Sequence, residues 1–234
     1  MDIDFQEPRF GQTLLILAVT SQNYNACKTL LELGADPNKY DNYDGDNAMI
    51  EAAKISNLTG DNTRILKLLL QYKGNPNFVE VGQRREGNST RNSVLISAIQ
   101  FNDIQSSLPM VKMLVNAGAD INYKNEFGQT ALSQAIIQDV FDVALYLLQM
   151  GANVNEVIVD RSDIYKGGEK VYLVNMLREI TPELNSKQHK QKLAIIEFLK
   201  QKGIDYKKVT IPDFILEKIK REYPNNWKEY IERY

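Results

Sequence analysis

The stretch GADINYKNEFGQTALSQA, from Gly118 to Ala135, opens a phrase that returns at GANVN, Gly151 to Asn155, and the two opening glycines lie 33 residues apart. Between them IIQDVFDVALYLLQM carries apolar residues at helical spacing. A phrase repeated at this period predicts stacked units, each a β-turn and two helices, that bury their apolar faces against their neighbours. The phrase can be followed in both directions. Toward the N-terminus GQTLLILA, Gly11 to Ala18, matches GQTALSQA and closes at GADPN, Gly34 to Asn38. GDNAMIEA, Gly45 to Ala52, closes with LLQYKGNPN, Leu69 to Asn77. NSVLISAI, Asn92 to Ile99, stands in a third copy, with Arg91 where the glycine belongs. Toward the C-terminus VYLVNMLREI and HKQKLAIIEFLKQKG make a degenerate fifth copy.

GQTALSQA resembles the ankyrin signature G-x-T-P-L-H-x-A, with Ala131 for its proline and Ser133 for its histidine. The resemblance implies an all-α ankyrin-repeat solenoid of about five helix-turn-helix units, with β-hairpin fingers and capping helices. Residues 1–234 then form a single domain, with an N-cap at 1–10, repeats at 11–38, 45–77, 91–122, 128–155 and 168–206, and C-terminal capping helices at 207–234.

The departures from the repeat are informative. SNLTGD, Ser56 to Asp61, and QFNDIQSSLP, Gln100 to Pro109, lengthen two inter-helix linkers with turn formers. Two fingers are also lengthened, in NFVEVGQRREGNSTRNS from Asn77 and in EVIVDRSDIYKGGEK from Glu156, where β-prone runs flank polar tips. Thr181 and Pro182 read as the N-cap and first turn of the long helix that follows. Past Gly203 two amphipathic helices are expected, presenting Phe214, Ile215, Leu216 and Ile219 on one and Trp227, Tyr230, Ile231 and Tyr234 on the other.

Composition bounds the chemistry. Twenty-eight Lys and Arg against 30 Asp and Glu give a net charge of −2, without the global attraction that nucleic acid or anionic lipid would need. The one cysteine, Cys27, excludes an intramolecular disulfide and is expected to be buried. The one histidine, His189, lies among Lys187, Lys190 and Lys192, as on a solvated helix face. The chain has no P-loop, HExxH or GxSxG motif, so neither enzyme activity nor a cofactor or metal site is expected. Asp41, Asp44 and Asp46 suggest a calcium loop, but its twelfth position is Ala52, and turn closure is the better reading. No run approaches 18 apolar residues, and MDIDFQEPRF is no signal peptide. The expected location is cytoplasmic if Met1 is the natural start, and periplasmic or lipid-anchored if a leader has been removed.

What the resemblance leaves is a recognition surface of finger tips and first-helix ends. Its register selects Tyr43, Asp44 and Asp46 in the second unit, Phe78, Arg84, Arg85 and Phe101 around the third, Tyr123, Glu126, Phe127 and Gln138 in the fourth, and Arg161 and Tyr165 in the fifth. Aromatic residues and arginine are enriched at interface centres. The chain also resembles the small bacterial ankyrin proteins that act as immunity partners of secreted toxins, including phospholipase-type effectors delivered between bacteria by type VI secretion. That likeness implies binding of one toxin or effector enzyme, and the chain alone is expected to be a monomer. A pathogen or viral effector that binds a host protein is the alternative.

Overall fold

The computed structural model describes residues 2–54, 63–81, 90–100, 107–163 and 168–234. The chain divides into two compact units, Met1–Ala131 and Leu132–Tyr234.

The first unit holds α1 (Leu14–Thr20), α2 (Tyr24–Glu32), α3 (Ala48–Lys54), α4 (Thr63–Gln71), α5 (Val94–Gln100) and α6 (Ser107–Asn116). Each odd-numbered helix packs on the even-numbered one that follows it. In addition α1 packs on α3 and α3 on α5, while α2 packs on α4 and α4 on α6, so the helices form two layers. The residue after the x of the G-x-T phrase starts each inner helix. Thr13 Oγ1 accepts the Ile16 N–H at 3.2 Å, Asn47 Oδ1 that of Ile50 at 2.9 Å, and Ser93 Oγ that of Ile96 at 3.3 Å. Such caps satisfy an orphan N–H of the first turn. The inner helices are buried over most of their surface, and Ala18, Ala52 and Ala98 fall at one position of the phrase, where a small side chain lets neighbouring helices approach. The outer helices bury only one stripe, such as Cys27 and Leu31 on α2 or Ile65, Leu66, Leu68 and Leu69 on α4.

The asparagines that close the first two phrases, Asn38 and Asn77, join each to the next. Asn38 accepts the Asn75 N–H at 2.7 Å and donates to Lys73 O at 3.1 Å. Asn77 repeats this one copy later, accepting from Asp120 N at 2.7 Å and donating to Gly118 O at 2.9 Å. Before the first copy Asp4 accepts the Asp36 N–H at 3.0 Å, so the acidic N-terminal segment takes half of the same role.

The second unit begins with α7 (Ala131–Ile137) and α8 (Phe141–Gln149), followed by β1 (Val157–Asp160) and β2 (Lys170–Tyr172), an antiparallel pair with an irregularity between Val157 and Val159. Then come α9 (Leu173–Glu179), α10 (Lys187–Gln201), α11 (Asp213–Glu222) and α12 (Trp227–Arg233). Helix α8 packs on α10, and α11 on α12. The molecule is therefore mostly helical, with twelve α-helices and one two-stranded sheet among the described residues.

Several expectations need correction. The N-cap of α10 is Ser186, whose hydroxyl accepts the His189 N–H at 3.1 Å, and Thr181 and Pro182 lie before it outside the helix. Pro109 sits in the first turn of α6, where its missing N–H leaves no helical bond unmade. His189 and Lys192 are buried, because α12 returns over α10. The His189 ring accepts at Nδ1 from Asn185 N (3.1 Å), and its Nε2 lies 3.0 Å from Arg233 O. Phe214 faces solvent, and α11 meets α12 through Ile215, Ile219, Tyr230 and Tyr234.

Candidate recognition surface

Two finger tips in the first unit are each organised by one polar side chain. Asp41 Oδ1 accepts three N–H groups, from Tyr43 (3.0 Å), Asp44 (2.9 Å) and Gly45 (3.0 Å). Asn125 Oδ1 accepts from Phe127 (3.0 Å) and Gln129 (2.9 Å), while its amide donates to Asn92 Oδ1 (2.9 Å) and Gln129 Oε1 (3.1 Å). These are turn-closing roles, as expected for Asp41. The tip glycines have left-handed backbones, with φ of 73° at Gly11, 75° at Gly45 and 71° at Gly128. Arg91 takes that conformation without being glycine, at φ 46°, and its side chain pairs with Glu126 Oε1 at 2.9 Å.

The fingers are tied to one another through the main chain. Asn42 N donates to Phe10 O at 3.0 Å, Val81 N to Gly45 O at 3.0 Å, and Glu126 N to Thr90 O at 3.2 Å. On this frame Phe127 stands 68% exposed and Tyr43 45% exposed, with Tyr43 edge-on to Phe10 at 5.3 Å between ring centres. Asp44 is exposed beside Tyr43. Phe78 is half-buried against Tyr40, and Tyr123 donates its hydroxyl to Arg91 O at 2.9 Å. Tyr43, Asp44 and Phe127 therefore present side chains to solvent, whereas Phe78, Tyr123 and the Arg91-paired Glu126 do so in part.

Two selected residues are occupied internally. Asp46 is buried and ion-paired with Lys54, which also lies 3.4 Å from Glu80 Oε1. Burial drives the Asp46 carboxyl upward against the Lys54 charge, and Glu80 adds to the rise. The register puts Asp46 at an outward position, but Lys54 and, through it, Glu80 of the next finger occupy it. Arg161 makes a two-pronged bond to Glu179, at 3.0 and 2.5 Å, that fastens the end of β1 to α9. Gln138, in the second unit, is half-buried at the end of α7. Arg84, Arg85, Phe101 and Tyr165 lie outside the described residues.

The reading from sequence missed Leu14 and Leu17, which are 40% and 39% exposed on α1. Leu14 occupies the proline position of the signature, and a leucine there was the available signal. Among the described residues no group of His, Cys, Asp or Glu could hold a metal ion, and no helix is long and apolar enough to cross a membrane.

The family model for ankyrin repeats (3 copies) matches residues 1–79 and 58–158. This chain belongs to the ankyrin repeat family. Its relatives include neurogenic locus notch homolog protein 1 of Xenopus laevis, 31% identical over 148 residues, which are 63% of this chain and 5% of the relative. The nuclear factor NF-kappa-B p105 subunit of Gallus gallus is 30% identical over 151 residues, 64% of this chain and 14% of the relative. An ankyrin repeat protein of Acanthamoeba polyphaga mimivirus is 29% identical over 89 residues, 38% of this chain and 51% of the relative. The chain thus spans about half or less of the length of these relatives.

Proposed function

We propose that this chain is a stoichiometric protein-binding scaffold that recognises one partner through its finger tips. The observation that carries this reading is the pair of exposed aromatic residues, Tyr43 and Phe127, on tips held rigid by Asp41 and Asn125. A large side chain whose backbone is already fixed loses little freedom when a partner covers it. In the finer form of the proposal the partner is a secreted toxic enzyme, such as a phospholipase-type effector, that the chain neutralises as an immunity protein. Its support is the resemblance to small bacterial ankyrin proteins together with the two lengthened fingers. The mimivirus relative favours a second reading, a viral or pathogen effector directed at a host protein.

Affinity capture from the native source, with the parent chain and a Tyr43→Ala/Phe127→Ala double variant as baits, tests both levels. A toxic enzyme captured by the parent and lost with the variant supports the immunity reading. A host protein captured and lost in the same way supports the second. Equal capture by the two baits moves recognition away from the tips.

A further inference from the structure

The second unit contains a pocket of about 530 Å³ between α9, α10, the segment after Tyr206 and α12. Its walls are apolar, from Leu193 and Ile196 on α10, Ile211, and Ile231 on α12, with the rings of Tyr206 and Tyr234 beside them. Leu193, 39% exposed, marks the open side. Pockets of this size with apolar walls and a few placed polar groups are the usual form of a small-molecule site.

The charge in it is one-sided. Arg178 lines the pocket and is only 6% exposed. Its Nε donates to Val209 O at 3.1 Å and its guanidinium lies 3.9 Å from the centre of the Tyr206 ring, but no carboxylate pairs with it among the described residues. On the rim Lys207 and Arg233 stand against Glu232, and Arg233 is already shared with Glu229 at 2.9 Å. A carbonyl and an aromatic face solvate a guanidinium but bring no negative charge, and a buried cation without a counterion is costly. A bound anion would supply the missing charge.

We propose that this pocket binds a small amphipathic organic anion, with its acid group directed to Arg178 and its apolar body against Leu193, Ile196, Ile211 and Ile231. The site is separate from the finger tips and does not rest on their assignment. Guanidinium and carboxylate form charge-assisted, often two-pronged hydrogen bonds, so a carboxylate is the simplest head group. A single alkyl chain is the simplest body.

Decanoate is the probe, with decan-1-ol as its uncharged control. Titration of the intact chain by calorimetry and by methyl NMR should give one saturable site, with shifts concentrated at Leu193, Ile196, Ile211 and Ile231. Leu193→Glu places a carboxylate at the exposed lip without disturbing the interior, and should weaken decanoate about tenfold or more. Arg178→Gln should weaken it further. If that variant does not fold, Leu193→Glu alone decides. No saturable shift up to about 1 mM, decan-1-ol binding as tightly as decanoate, or undiminished affinity in Leu193→Glu would each overturn the proposal.

Discussion

Lys192 is a lysine in the place of a core residue. Burial, with the charge of Arg178 second, pulls its amine down to about 6. The unfolded chain keeps that proton to about pH 10.4, whereas the folded chain sheds it above about 6. Between those values the unfolded state holds one more proton, so stability rises with pH, at up to about 1.4 kcal/mol per unit. Lys192→Met removes this linkage. Urea unfolding midpoints from about pH 6.5 to about pH 9 should climb less steeply for the variant than for the parent, and at the lower end the variant should be no less stable. Parallel climbs would show that the buried amine keeps its proton. This burial was not legible in the sequence, since KQHKQKL has the look of a solvated face and the covering helix comes about 40 residues later. Asp46 was misread for the same reason, as its partner Lys54 and the Glu80 that joins that pair lie further along the chain. Cys27 was read correctly, because an apolar helix stripe around it is a local signal; burial raises its thiol to about 11 and keeps it unreactive.

At the scale of the element, the fingers separate local strain from steric conflict. A methyl group at Gly128 would meet no atom within 4 Å, so Gly128→Ala tests only the left-handed backbone and should cost about 1 kcal/mol. A methyl group at Gly11 would lie 2.5 Å from Asn42 Nδ2 and 2.8 Å from Asn42 Cβ, so Gly11→Ala should cost clearly more. Equal melting temperatures for these two variants would mean that the Asn42 side chain yields freely. The two kinds of finger residue should separate as well. Tyr43→Ala with Phe127→Ala should leave the melting temperature nearly unchanged, whereas Arg161→Ala should lower stability by about 1 to 3 kcal/mol through the loss of Glu179 as a partner. Thermal denaturation of the three proteins is sufficient, and an Arg161→Ala variant as stable as the parent would return that residue to the surface set. The tips were legible because their glycines and Asp41 or Asn125 are turn residues in sequence. The Arg161 bond was not, since nothing at residue 161 announces a carboxylate 18 positions away.

At the scale of the whole molecule, the last two helices are fastened by side chains that reach back to carbonyl groups. Tyr230 donates to Pro182 O at 2.7 Å and Tyr234 to Arg178 O at 3.1 Å, within a stack of Tyr223, Tyr230 and Tyr234. Removing residues 207–234 exposes the apolar face of α9 and α10 and leaves the Pro182 and Arg178 carbonyls without these donors. The truncated chain should melt far below the parent or fail to remain in solution. A soluble truncation with the parent's melting temperature would make α11 and α12 an independent appendage. Their existence was readable from amphipathic spacing, but the exposure of Phe214 was not, because spacing fixes a stripe on a helix and leaves open which residues at its margin are covered.

The closing asparagines carry a further meaning for how such a chain changes length. Asn38 and Asn77 each grip the turn of the following copy through the same two atoms and leave that copy's own closing residue to do the next joining. Excising a complete copy brings an asparagine against a turn of the kind it already holds, so the splice is chemically familiar. Excising half a copy leaves an amide with no turn to meet and an inner helix without its outer partner. Insertions and deletions in the lineage of this chain should therefore be inherited in whole copies, and gains of a few residues should be confined to linkers and fingers, where no asparagine has to find its mate.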